Sequence, residues 1–192
     1  AIDPDRTSMF ARDVDVADVG DAVLSFQSEI GNVFAYNVGD FSVYKQISPL
    51  VFNGEAPVCG SDLAPGDAPN YQGLWVNSPI GSERWGLYLA HQGDVIFGVT
   101  FAYDPDNKPT WNSMSLFRDE SGAYRGDIVN TTGPTDVRTF NPDSVTRTVV
   151  GSATISFDDA QYGTLVERIG EDAQPTKAIA RLQFDPAMTV CK

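Results

Sequence analysis

Helical periodicity is almost missing from this chain of 192 residues. No apolar run approaches the roughly 20 residues that cross a bilayer as a helix, so no transmembrane segment is expected. Basic residues are few: 13 Lys and Arg stand against 26 Asp and Glu, a net charge of −13. A surface of that sign repels a phosphate backbone and an anionic membrane, which removes nucleic acid from the expected partners. There is one histidine, His91, so a metal site built from several histidines is excluded by count. A Ser-His-Asp arrangement needs a base beside an activated serine, and no G-x-S-x-G elbow occurs. His91 precedes Gln92-Gly93 at the end of an apolar run and reads as an exposed turn-flanking residue. Of the two cysteines, Cys59 and Cys191, neither belongs to a C-x-x-C pair, so zinc and thioredoxin-like chemistry have no support.

What is present suits a folded, exported domain. Hydrophobic residues make up 42% of the chain and charged residues 20%, enough apolar surface for a core. Acidic surfaces keep secreted proteins soluble. The chain begins at Ala1 without a basic n-region or apolar h-region, as a mature secreted protein does. The expected location is extracellular, cell-surface or periplasmic. In that setting two cysteines predict one disulfide, Cys59 to Cys191, with two buried thiols as the alternative. Closing so long a loop is worth about 4–5 kcal/mol in the entropic treatment.

Alternation with period two recurs from about Gln72 onward and predicts eight strands. They are Gln72–Asn77, Arg84–His91, Asp94–Tyr103, Pro109–Phe117, Ala123–Asn130, Thr146–Phe157, Tyr162–Ile169 and Lys177–Phe184. Turn chemistry separates most of them: Gln92-Gly93, Asp104 to Asn107 around Pro105, Asp119 to Gly122, and Asp158 to Gln161. Short connections imply antiparallel neighbours, and an eight-stranded meander can close into a barrel that has no exposed edge. An open sheet or a sandwich is the alternative. The expected interior comprises Trp85, Leu87 and Leu89; Val95, Phe97, Val99 and Phe101; and Val149, Ala153, Ile155 and Phe157.

The first 70 residues differ in character. Residues 1–21 form an acidic arm in which Asp13, Asp15, Asp18 and Asp21 interleave with Val14, Val16 and Val19. Residues 22–58 hold three short strands, Ala22–Gln27, Asn32–Asn37 and Phe41–Ile47. Residues 59–70, rich in Gly, Pro, Ala and Asp, read as a linker to a barrel-like domain over 71–192.

Gly73-Leu74-Trp75-Val76-Asn77-Ser78-Pro79 is followed by Ser82-Glu83-Arg84-Trp85-Gly86-Leu87. Gln92 to Phe97, Phe101 to Asp104, Pro109-Thr110-Trp111 and Thr131 to Pro134 continue the pattern. Over about residues 71–184 the chain resembles a Trp-rich β module of secreted bacterial proteins that commonly reads G-W-W-W-N-P, then E-S-G-W-G. It departs from that module at Leu74 and Val76, where more Trp is usual. The resemblance implies export and a β module; it implies no reaction.

Three chemistries remain as candidates. Calcium takes clustered oxygen ligands, and Asp104, Asp106 and Asn107 form a D-x-D-N segment, although the Gly and distal Glu of an EF-hand loop are missing. Paired carboxylates could hydrolyse a glycoside, yet nothing selects a pair such as Glu83 and Glu167 among 26 acids. Trp75, Tyr88 and Trp111 could form an aromatic surface for a glycan or an apolar ligand, with core packing as the plain reading. The leading expectation is a non-enzymatic structural or assembly protein without a cofactor. In its specific form the arm residues Asp13, Val14, Asp15, Val16 and Val19, within a segment running to Phe26, add a strand to a neighbouring copy's sheet edge. An extracellular binding module, including a protease-inhibitor type, comes second. A carboxylate hydrolase comes third.

Overall fold

A computed structural model describes residues 17–27, 31–54, 59–60, 70–79, 85–104, 106–134, 140–170, 172–173, 175–182 and 190–191. The chain divides into two units, Ala1–Phe52 and Asn53–Lys192.

The first unit is an antiparallel sheet of three strands, β1 (Ala22–Gln27), β2 (Gly31–Val38) and β3 (Phe41–Ile47). Val38 lies opposite Phe41, so β2 and β3 are joined by a two-residue turn in which Gly39 takes φ 56°. The chain enters beside that turn: the Gly39 amide donates to the Val19 carbonyl at 3.2 Å and the Asn37 amide to the Asp21 carbonyl at 2.9 Å. Residues 22–26, expected to join a neighbour's edge, therefore pair with β2 of their own chain. Asp13 to Val16 lie outside the described residues.

In the second unit, β4 (Cys59–Gly60) precedes β5 (Gly73–Asn77), β6 (Gly86–Gln92), β7 (Val95–Tyr103), β8 (Pro109–Arg118) and β9 (Tyr124–Thr132). Then come β10 (Thr146–Phe157), β11 (Tyr162–Ile169), β12 (Asp172–Ala173), β13 (Lys177–Arg181) and β14 (Val190–Cys191). Eight strands, β5 to β11 and then β13, pair in chain order, and β13 returns to β5 through Ile179 opposite Asn77 and Ala180 opposite Val76. The result is a closed antiparallel barrel. The short β12 adds to β11, and β4 pairs with β14 so that Cys59 stands opposite Cys191 in backbone register. Cys59 and Gly60 thus begin the predicted linker as a strand.

Acidic residues shape the hairpin turns. The Asp104 carboxylate accepts from the amides of Asp106 and Lys108 at 2.9 and 2.8 Å. Asp159 does the same for Gln161 and Tyr162 at 2.7 and 2.8 Å. At Asp119 one oxygen accepts from the Ser121 amide and hydroxyl and from the Ala123 amide, and the other pairs with the Arg125 guanidinium. The Ser121 hydrogen bond first, then Arg125, holds the Asp119 carboxyl well below its usual range.

Trp75, Leu87, Leu89, Ile96, Met114, Leu116, Tyr124, Ile128, Ala153, Ile155, Leu165 and Ile179 pack together inside the barrel. The interior of β6 is as expected, since Leu87 and Leu89 are buried. The interior of β7 is the reverse of the expectation. Cross-strand partners share a face, and Leu87, Leu89 and His91 lie opposite Thr100, Gly98 and Ile96. Ile96, Gly98 and Thr100 therefore point inward, and Val95, Phe97, Val99 and Phe101 point out. Crowding accounts for the small interior residue: a Cβ on Gly98 would stand 2.8 Å from Met114 Cγ and 3.3 Å from Leu89 Cδ2. Val149 is also misplaced by simple alternation. A bulge between Val149 and Gly151 shifts the register, so Ala153 and Ile155 are inside and Val149 is outside.

Candidate interaction surface

The outer faces of β6, β7 and β8 form one continuous surface. In register, Gly86, Phe101 and Trp111 form one row, and Tyr88, Val99 and Ser113 the next. Ala90, Phe97 and Ser115 follow, and Val95 stands opposite Phe117. Phe101 retains 51% of its surface exposed, Trp111 45%, Tyr88 38% and Phe117 60%. The Tyr88 row extends to Leu74 on β5, and through Ser113 to Val129 on β9 and Val149 on β10. None of the outward residues of these rows on β6, β7 and β8 is charged, in a chain with a net charge of −13.

Three strands about 4.8 Å apart and nine residues rising about 3.4 Å each give a face of roughly 14 by 30 Å, on the order of 400 Å². The largest apolar patch on a typical monomer is of about this size and is often functional. The hydrogen-bonding groups on the outer face of these rows are few: the Ser113 and Ser115 hydroxyls, the first already directed to the Val129 carbonyl, the phenols of Tyr88 and Tyr103, and the Trp111 indole N–H.

Of the three aromatic residues singled out by sequence, Tyr88 and Trp111 lie on this face. Trp75 does not. It is fully buried, and its indole N–H donates to the Tyr71 carbonyl at 2.9 Å. The sequence reading placed Phe97 and Phe101 in the interior and gave Phe117 no role.

Two polar clusters sit inside the barrel. His91 on β6, expected to be exposed beside its turn, is instead buried between Tyr71, which stacks on it with centroids 5.4 Å apart, and Tyr124, whose hydroxyl is 3.0 Å from Nε2. Burial is the largest influence on its imidazole and pushes the pKa below 6.5. Burial likewise pushes the Tyr124 phenol up to about 12. The second cluster is Glu167 on β11 with Lys177 on β13, 2.7 Å apart, and the Lys177 ammonium lies 4.7 Å from the Trp85 ring centroid. Glu167 is thus committed to an internal ion pair, while Glu83 lies outside the described residues.

The calcium candidate is a turn. Asp104 uses a carboxylate oxygen on two backbone amides, and the Asn107 amide donates to the Asp104 carbonyl at 2.9 Å with φ at 59°. Among the described residues no three His, Cys, Asp or Glu side chains gather where they could hold a metal ion. Among them, too, no helix is long and apolar enough to cross a membrane. No protein-family model matches the chain, and no curated protein matches it.

Proposed function

We propose that this chain is a non-enzymatic, exported assembly protein whose barrel associates with a second copy through the outer face of β6–β8. The observation that carries this reading is the orientation of β7. Four of its apolar side chains, half-buried Val95, Phe97 and Val99 and exposed Phe101, lie on the outer face with Tyr88, Trp111 and Phe117, while Ile96 points inward. A packed interior supports it, because the space beside Gly98, where a barrel ligand would lie, is filled by Met114 and Leu89.

The occupant follows from charge and polarity. Two copies at −13 repel one another everywhere except where charge is absent, and this face is such a place. A basic partner would gain nothing from an uncharged face. A glycan would need more directed hydrogen-bonding groups than two serines, two tyrosines and one indole N–H. A second copy presents the same apolar surface, and a two-fold contact is self-complementary. Export adds a structural element: Cys59 and Cys191 are direct partners in an antiparallel ladder, where Cα separations of about 4.5–5.5 Å suit a disulfide. We place a bridge there.

Light scattering and negative-stain electron microscopy on the non-reduced protein test the reading. Concentration-dependent dimers or larger assemblies support it. A monomer at every concentration, with thermal stabilisation by a glycan or a lipid-like ligand instead, replaces it with the binding-module reading.

A further inference from the structure

We infer that His91 is an acid-sensitive latch that holds the strand-entry segment Asn70–Tyr71 against one end of the barrel. Hydrogen bonding fixes its protonation state. The Tyr71 backbone N–H donates to His91 Nδ1 at 3.0 Å, so Nδ1 must carry a lone pair. The remaining proton is then on Nε2, which lies 2.8 Å from the Gly93 carbonyl and 3.0 Å from the Tyr124 hydroxyl. The neutral ring with Nε2–H accepts from the Tyr71 amide and shares its one proton between the Gly93 carbonyl and the Tyr124 oxygen.

The same hairpin end grips the chain at two further points. The Asn70 side-chain amide donates to the His91 carbonyl at 3.3 Å. Asn53 donates from its backbone to the Gln92 side chain at 3.1 Å and from its side chain to the Gln92 carbonyl at 2.8 Å. Of these bonds to Asn53, Asn70 and Tyr71, one ends on a titratable group, the Tyr71 amide on Nδ1. Tyr71 also packs into this end of the barrel. Its ring stacks on Phe157 with centroids 3.6 Å apart, and its carbonyl receives the Trp75 indole N–H.

A proton on Nδ1 would face the Tyr71 N–H with a second donor and place a cation among Tyr71, Tyr124 and Phe157. The groups around the ring are the Tyr71 phenol on the entry segment, Tyr124 on β9, Asp94 in the β6–β7 turn and Arg118 at the end of β8. Asp94 favours the imidazolium, Arg118 opposes it, and burial outweighs both. The folded-state pKa therefore lies below the ordinary 6.5. The latch is fully closed above that value and is lost as pH falls through the folded pKa.

Amide hydrogen exchange by NMR, followed from about pH 7.5 down to about 4.5, tests this on the whole protein. After correction for intrinsic rates, protection of the Tyr71 amide should fall at least about tenfold over that range, in step with the His91 ring-nitrogen shifts. The Leu87 and Ile128 amides should stay protected, which separates latch opening from global unfolding. In His91→Gln, which can accept a hydrogen bond but cannot titrate, Tyr71 protection should not follow pH. Tyr71 protection that is unchanged to the lowest pH overturns the inference. So does a fall that is equal in His91→Gln, or one shared by the core amides. The wild-type profile decides the matter even if the variant does not fold.

Discussion

The two units use the same strand chemistry and reach opposite outcomes. In the barrel, alternation meets closure, and Trp75, Leu87, Leu89, Ile96, Leu116, Ile128, Ile155 and Leu165 lose all their solvent contact. In the three-stranded sheet, Val33 alone among the described residues is buried, at 8% exposure, while Val23, Leu24, Phe26 and Tyr44 stay exposed. A sheet of three strands has two edges and no second layer, so its apolar residues have nothing of their own to pack against. The lesson is that the alternating pattern supplies a face, and only topology supplies an inside.

That contrast can be broken most sharply by truncating the core. Leu89→Ala should cost about 2–5 kcal/mol in urea denaturation, and Leu24→Ala in the three-stranded sheet about 0.5 kcal/mol or less. Equal costs would mean that the two units share one core. Lys177→Met comes next. It leaves the buried Glu167 carboxylate without its counter-charge, and the expected loss is about 3 kcal/mol at neutral pH. A neutral result would show that water reaches the pair. Gly98→Ala should cost about 1–3 kcal/mol by overpacking against Met114, read as a lower Tm. No change would mean that the interior has room and would return a barrel ligand to consideration.

The smallest effect concerns the β8–β9 turn. The Asp119 carboxyl is held below its ordinary 3.8, so its contribution is present above that pH and is lost as pH falls through the folded value. Asp119→Asn should therefore lower stability slightly at neutral pH, and the difference from wild type should shrink in strong acid. A difference that grows in acid would contradict the hydrogen-bond assignment.

Much of the architecture was legible in the sequence. All eight barrel strands, the chain order of their pairing and the three N-terminal strands follow from alternation and turn residues, because Asp, Asn and Gly punctuate each hairpin. Facing was not legible on β7. Val95, Phe97, Val99 and Phe101 look like the interior set, and only the register to Leu87 and Leu89 shows otherwise. The bulge before Gly151 hid Val149 in the same way. Trp75 follows the plain reading of the candidate aromatics and is core. Tyr88 and Trp111 are on the surface, and the residues that join them, Phe101 above all, became visible only once the barrel was closed. The pairing of Cys59 with Cys191 in register was prefigured only by the even cysteine count.

The central claim is that the uncharged face of β6–β8 mediates self-association, and light scattering on matched variants tests it most directly. Phe101→Ser with Trp111→Ser should make the protein monomeric at concentrations where wild type associates, with little loss of stability because both residues lie outside the core. Leu24→Ser with Phe26→Ser, in the three-stranded sheet, should leave association intact. The opposite pattern, with association lost only in the sheet variant, would contradict the claim and move the interface to the N-terminal unit.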